Sequence, residues 1–319
     1  MMRTLLSRPA IAAMVLLAAS AGSARATELV KVAAGQRGNW DTSVTELGKR
    51  AGIFAKNGLE IELLYTQGGG ETQQAVISGS VDVGVAAGIM GVMGAFSKGA
   101  PVRIIGSETN GAADFWYAAT ASDIKSLRDT DGKTIAYSTN GSSTHGIVLA
   151  FMKEYGLKAK PTATGGPAAT FTQVMSGQID VGWSAPPFGF DAEKDGKIRI
   201  VARGNDLPAV REQTSRVLIT TAAALASRGD VIRRFIAAYR QTIDWMYSDP
   251  QALKTYAEFI QMPEETARRV RDEFFPRFML DLDAIVGIDQ LVQDAVIYKY
   301  TAQALTKTQL AELIQIPPR

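Results

Sequence analysis

Two stretches of this sequence hold residue types that could grip a small molecule. Gly68-Gly69-Gly70 strips side chains from three consecutive positions, so the backbone there can come close to a ligand. Ser138-Thr139-Asn140-Gly141-Ser142-Ser143-Thr144 gathers hydroxyls and a glycine at the start of a helical pattern. One hydroxyl is enough to cap a helix. The excess fits an oxyanion held by hydroxyls and main-chain N–H groups at the positive end of the helix. The residues that other chemistries need are scarce. The chain contains no cysteine, which excludes disulfides, thiolate metal sites and cysteine nucleophiles. A single histidine, His145, argues against a histidine-based metal centre and against a Ser-His-Asp triad. It reads as a residue in the first turn of the helix. Neither a Walker motif nor a dinucleotide glycine fingerprint is present. Binding without a metal, cofactor or covalent step is the chemistry these residues allow.

The elements that must position these groups are announced by an internal echo. Ser78-Gly79-Ser80-Val81-Asp82-Val83-Gly84-Val85 returns about a hundred residues later as Ser176-Gly177-Gln178-Ile179-Asp180-Val181-Gly182-Trp183. Both copies share a lead-in: Gly68-Gly69-Gly70 with Gln73 to Ile77, then Gly165-Gly166-Pro167 with Phe171 to Met175. Each reads as glycine loop, short helix, Ser-Gly stop and Asp-Val-Gly strand. Two copies are too few for a solenoid and suit two similar α/β lobes, with a ligand in the cleft between them.

Strands are expected at Leu29 to Ala33, Leu59 to Tyr65, Val81 to Val85, Val102 to Gly106, Phe115 to Ala119, Lys133 to Tyr137, Ile198 to Ala202 and Val217 to Thr221. Ser43-Val44-Thr45-Glu46 has the spacing of a capping box. The small polar run Asn110 to Asp114 marks a first crossing between lobes, and Val217 to Thr221 carries the chain back. The remainder is helical. Val231, Ile232, Phe235, Ile236, Tyr239, Ile243 and Met246 keep a helical period. Further helices open at Pro263 and span Ile288 to Ala304.

The chain has 319 residues, 46% hydrophobic and 21% charged, a length that suits about two domains. Arg3 and Arg8, the apolar run Ala10 to Ala21 and Ala24-Arg25-Ala26 have the form of a secretory signal peptide over residues 1–26, too short in its apolar run to span a bilayer. Its removal takes three arginines from the 34 basic residues and none from the 32 acidic, moving the formal charge from +2 to −1. No basic field remains to suggest nucleic acid.

In the order and spacing of these segments the sequence resembles the substrate-binding components of ABC importers for nitrate, alkanesulfonates and taurine. The residues that carry the likeness are Gln36-Arg37-Gly38-Asn39, Ser78 to Gly84, Gly132-Lys133-Thr134-Ile135-Ala136, Gly141-Ser142-Ser143-Thr144-His145 and Gly177-Gln178-Ile179-Asp180-Val181. The resemblance implies an α/β, two-lobed type II periplasmic-binding-protein fold. Lobe 1 would be residues 27–112 plus 218–319 and lobe 2 residues 113–217. It implies hinge closure on a solute, docking on an inner-membrane permease with its ATPase, a periplasmic location, and a monomer with no cofactor and no enzymatic activity. Its ligand site maps onto Gln36, Asn39 and Trp40, onto Gly69 and Gly70, onto Ala87 and Gly88, and onto Ser142, Ser143 and Thr144. The strand end at Ser184 and Ala185 completes it. Alkanesulfonate binders tend to show an aromatic, an acid and then proline there. Ser184-Ala185-Pro186 lacks the acid, which disfavours an amine-bearing solute such as taurine.

Trp40, Trp116 and Trp183, with Phe115 and Phe188, are candidate apolar walls. Trp116 and Trp183 could equally pack inside lobe 2. The expected ligand is therefore a small organic anion, a sulfonate or carboxylate with room for an aromatic body. The alternatives are a neutral heterocycle such as a pyrimidine, or a secreted enzyme on the same fold that would use His145 as a base.

Overall fold

The computed structural model describes residues 27–319; the signal-peptide expectation lies outside the described residues. Ten strands form two five-stranded mixed sheets. In the first, β1 (Glu28–Gly35), β2 (Leu59–Thr66), β3 (Val83–Gly88), β4 (Val102–Asn110) and β10 (Thr214–Thr221) take the order β2-β1-β3-β10-β4. In the second, β5 (Phe115–Ala119), β6 (Thr134–Tyr137), β7 (Lys160–Ala163), β8 (Val181–Ser184) and β9 (Ile198–Arg203) take the order β7-β6-β8-β5-β9. The two orders correspond strand for strand. Each has three parallel strands, then an antiparallel strand that has crossed from the other sheet, then an antiparallel edge.

The echo is the shared framework of these sheets. Asp82, just before β3, accepts the backbone N–H of Lys31 at 2.8 Å, and Asp180, just before β8, accepts that of Thr134 at 2.9 Å. Each aspartate ties its strand to the parallel neighbour. Gly84 and Gly182 also answer one another. A Cβ on either would fall within 3 Å of the valine of the preceding helix, Val76 or Val174. Only glycine lets that helix lie so close to the sheet.

The helices are α1 (Val44–Arg50), α2 (Ile53–Lys56), α3 (Gly69–Ile77), α4 (Ile89–Ser97), α5 (Ser143–Tyr155), α6 (Pro167–Met175), α7 (Phe190–Lys194), α8 (Pro208–Arg211), α9 (Ala222–Ser248), α10 (Pro250–Ile260), α11 (Glu264–Arg269), α12 (Ile288–Ile297) and α13 (Lys307–Leu313). Leu47, Phe235, Tyr239 and Leu253 bring α1, α9 and α10 into one core with Val32 and Val85 of the first sheet. Val92 and Leu291 bring α4 and α12 into a second core with Ala33 and Ile219. Phe151 and Val174 join α5 and α6 to the second sheet.

Three local expectations are corrected. The capping box does not form: Ser43 donates its hydroxyl to the Asn39 carbonyl at 2.5 Å, and Glu46 pairs with Arg50. The last strand of the first sheet begins at Thr214, three residues before its apolar stretch. The helix expected to reach Ala304 stops at Ile297, because Lys299 turns left-handed (φ 61°) and the Tyr300 N–H closes back on the Ala295 carbonyl at 2.8 Å.

Candidate functional site

The first sheet presents the ends of β1 and β3 and the start of α3 to the start of α5, which follows β6 of the second sheet. Gln36, Gly69, Ser142, Ser143 and Thr144 line one small cavity there, together with Gly35, Gly68, Ala86, Ser138, Trp183 and Arg216. Five of the sequence-derived site residues, from three separate segments, thus meet at one place. The cavity volume is about 10 Å³, near the minimum that holds one water. The two sheets' elements are in direct contact around it.

Glycines make this tight closure possible. The Gly70 N–H donates to the Thr139 hydroxyl across the gap at 3.0 Å. A Cβ on Gly70 or Gly91 would collide with the carbonyl of Asn140 or Gly141, and one on Gly88 would lie 2.5 Å from the Ser143 nitrogen. The backbone of residues 138–143 therefore rests directly on the backbone of the first lobe. Ala86, on the cavity wall, is left-handed (φ 65°), a conformation that costs a non-glycine residue about 1–2 kcal/mol. It sits where strained backbone commonly marks function.

The hydroxyl cluster is a connected chain. Ser142 caps α5 by accepting the His145 N–H at 3.2 Å. The Thr144 hydroxyl lies 3.0 Å from both the Ser138 and the Ser142 hydroxyls, and it also accepts the Ser138 N–H at 3.0 Å. The first-turn N–H groups of α3 and α5 have no earlier turn to bond to, so both helix starts bring donors and positive potential to the cavity rim.

Arg216, the third residue of β10, is the group that sequence reasoning missed. It is buried, and its guanidinium is held by Asp41, by both carboxylate oxygens of Asp114 (2.7 and 2.8 Å) and by the Ser143 hydroxyl (3.0 Å). It therefore links the first sheet to the crossing segment and to α5. Burial opposes its charge, but Asp114 and Asp41 more than offset that and raise its pKa. Burial pushes the Asp114 carboxyl up, and Arg216 opposes the shift. Beside them Glu108 is fully buried, and desolvation, reinforced by Asp41 and opposed by Arg216 and the Ala86 N–H, holds its carboxyl well above the usual range. The only clue in the sequence was one arginine beside an apolar run, Val217 to Ile219.

Other expected site residues lie elsewhere. Trp40 is in the first core: its indole N–H donates to the Tyr247 hydroxyl at 2.9 Å and its ring packs edge-on against Tyr256. Trp116 is in the second core, edge-on against Phe151, donating to the Ala136 carbonyl at 2.9 Å. Neither forms a wall of the cavity. Phe115 is also in the second core. Asn39 is buried behind Gln36, to which its amide donates at 3.4 Å. Ala87 belongs to the first sheet's second core, one residue past the cavity wall at Ala86. Gly88 lines a neighbouring cleft that also touches Ser142 and Ser143. Ser184 donates to the Phe188 carbonyl at 3.0 Å inside its own turn, and Ala185 is buried. Trp183, whose indole N–H donates to the Gly165 carbonyl at 3.1 Å, is the one aromatic bordering the cavity.

His145 is held between two tyrosines. Its ring stacks on Tyr137 (centroids 4.3 Å apart) and its Nδ1 lies 2.9 Å from the Tyr300 hydroxyl, while burial lowers its pKa.

A family model described as NMT1/THI5 like matches residues 45–253, about two thirds of the chain, and the chain belongs to this family. No curated protein matches the sequence. Among solved structures, the alkanesulfonate-binding protein SsuA from Xanthomonas axonopodis pv. citri, bound to MOPS, superposes with a TM-score of 0.74 at 18% identity, covering 92% of this chain and 100% of that one. The periplasmic aliphatic sulphonate binding protein SsuA from Escherichia coli gives 0.69 at 20%, covering 92% and 93%. The periplasmic nitrate-binding protein NrtA from Synechocystis PCC 6803 gives 0.71 at 14%, covering 91% and 86%. The fold is therefore that of the periplasmic binding proteins, as the sequence resemblance implied.

Proposed function

We propose that this member of the NMT1/THI5-like family is the periplasmic solute-binding component of an ABC importer, taking up a small organic anion and delivering it to a permease and its ATPase. One observation carries the reading. Gln36, Gly69 and Ser142 to Thr144 converge on one cavity at the starts of α3 and α5, an arrangement that can hold an anion without a metal. The alkanesulfonate- and nitrate-binding names of the structural neighbours lend the class of solute support. The lobes would be close to residues 27–112 plus 218–319 and 113–217, with the return crossing just ahead of β10, which pairs within the first sheet from Thr214, and closure would follow the hinge mode of two-lobed binders.

Within that class we favour a sulfonate or carboxylate on a compact aliphatic body. The tryptophan walls that would have suited an aromatic body are largely core, with Trp183 alone at the rim. Ser184 and Ala185 supply no acid for an ammonium group. Thermal-shift screening of the mature chain against aliphatic sulfonates, carboxylates, nitrate and pyrimidines tests the reading. A solute at about a hundred times its dissociation constant should add about 2.7 kcal/mol to folding. The reading expects at least one sulfonate or carboxylate to raise the melting temperature by several degrees, and taurine to fall short of its unaminated analogue, ethanesulfonate. A response confined to pyrimidines would overturn it.

A further inference from the structure

The protein's one histidine joins the two sheets' units. His145 lies in the first turn of α5, and its ring stacks on Tyr137 of β6, in the second sheet's core, with centroids 4.3 Å apart. Tyr300, beyond α12, packs against the first sheet's second core, and its hydroxyl lies 2.9 Å from His145 Nδ1. The same Nδ1 accepts the Gly141 N–H at 3.4 Å, and Gly141 is the stretch of backbone that rests on Gly91 of α4. From this geometry we infer a proton-operated clasp: neutral His145 holds the two units together, and its protonation frees them. The inference rests on the two units parting, which belongs to the function proposed above, and not on which solute binds.

Counting hydrogens gives the direction. Because the Gly141 N–H points at Nδ1, that nitrogen is the acceptor, the ring proton sits on Nε2, and the Tyr300 hydroxyl donates. A proton added at Nδ1 meets the Gly141 N–H donor against donor, and Tyr300 must turn round to accept. No counter-charge meets the imidazolium. The titratable groups facing the ring are the phenols Tyr137 and Tyr300. The loop from Ser138 to Gly141 carries no charge, and α4 has no acidic or basic residue. On α12, Asp294 is taken by the amides of Gln213 and Gln290, and Lys299 is exposed. The start of α5 adds positive potential of its own. Burial lowers the His145 pKa below its ordinary 6.5. Parting the units removes that burial, so opening takes up a proton. The joined state is therefore favoured in full above the open-state midpoint, loses ground as pH falls below it, and levels off below the joined-state midpoint. A gap of one pH unit between the two midpoints is a tenfold change in the joined-to-open ratio.

The test uses no solute, so a failed solute screen leaves it intact. In the untagged mature chain His145 gives the one imidazole signal. Its NMR titration and the radius of gyration from small-angle scattering are followed from about pH 8 to about pH 5. At the upper end the radius should match that of this structure. It should grow as the imidazole titrates, with a midpoint below the ordinary 6.5 and an unchanged helical circular dichroism. Tyr300→Phe keeps the ring and loses the hydroxyl; it should raise the midpoint and move the expansion to higher pH. His145→Gln should make the radius independent of pH over this range. A parent midpoint at or above 6.5, a radius that stays constant while the imidazole titrates, an expansion that comes with loss of helix, or an expansion retained in His145→Gln would each overturn the inference.

Discussion

Arg216 holds more of the molecule together than any other charged side chain near the gap. Its guanidinium is buried between Asp41 and Asp114 and also donates to Ser143. Breaking a buried pair from one side strands the remaining charge, at a typical cost of 3–5 kcal/mol. Arg216→Met should therefore lower the unfolding free energy by about that much in urea titration; a loss below about 1 kcal/mol would show that the network is dispensable. Glu108 makes the opposite prediction. Its carboxyl titrates well above its ordinary value of 4.5 because it is desolvated, with Asp41 and Arg216 acting on it in opposite senses. The folded state thus holds a proton that the unfolded state releases above about pH 4.5, and this side chain's contribution falls as pH rises from there toward the folded pKa. Glu108→Gln keeps the shape and removes the titration. Its stability relative to the parent should grow between pH 4.5 and pH 8, and a pH-independent difference would refute the assignment. Neither residue stood out in the sequence. Arg216 stands beside an apolar run and Glu108 in the polar end of β4, Ser107 to Asn110, and pattern alone does not tell a buried ion from an exposed edge.

At the scale of elements, the echo made the framework legible. Each Asp-Val-Gly stretch carries a cap for the neighbouring strand and a glycine that seats the preceding helix. Such constraints are local, so they leave a mark in a short window. The hydroxyl-rich start of α5 was legible for the same reason. What was not legible is which lobe face a bulky side chain takes. Trp40 and Trp116 satisfy their indole N–H groups inside the two cores, and long-range packing decides that. Gly91 shows the reverse case, a glycine whose reason lies across the gap. A Cβ there meets the backbone of Gly141, a stretch of main chain with no rotamer to yield. Gly91→Ala should keep the melting temperature of each lobe's core while holding the lobes apart. Small-angle scattering should show a larger radius of gyration than the parent, and solute affinity should drop about tenfold as the closed state loses population. An unchanged radius would mean that the closed contact is not what this glycine serves.

At the scale of the whole molecule, two similar α/β units meet through backbone, hydroxyls, a buried ion network and the aromatic pair Phe190 and Phe274, and the cavity at the starts of α3 and α5 has almost no free volume. That suits a device that opens to admit a solute and closes to hold it. The central claim is that the negative end of the solute is gripped by the starts of α3 and α5. The most direct test is the amide spectrum of the isotopically labelled protein, titrated with the anion that stabilises it most in the thermal screen. The account predicts that the Gly69, Ser143 and Thr144 amide protons move downfield and saturate with the binding isotherm, as each takes on a charge-assisted hydrogen bond. Saturable binding of that anion with those three amides unmoved would contradict it.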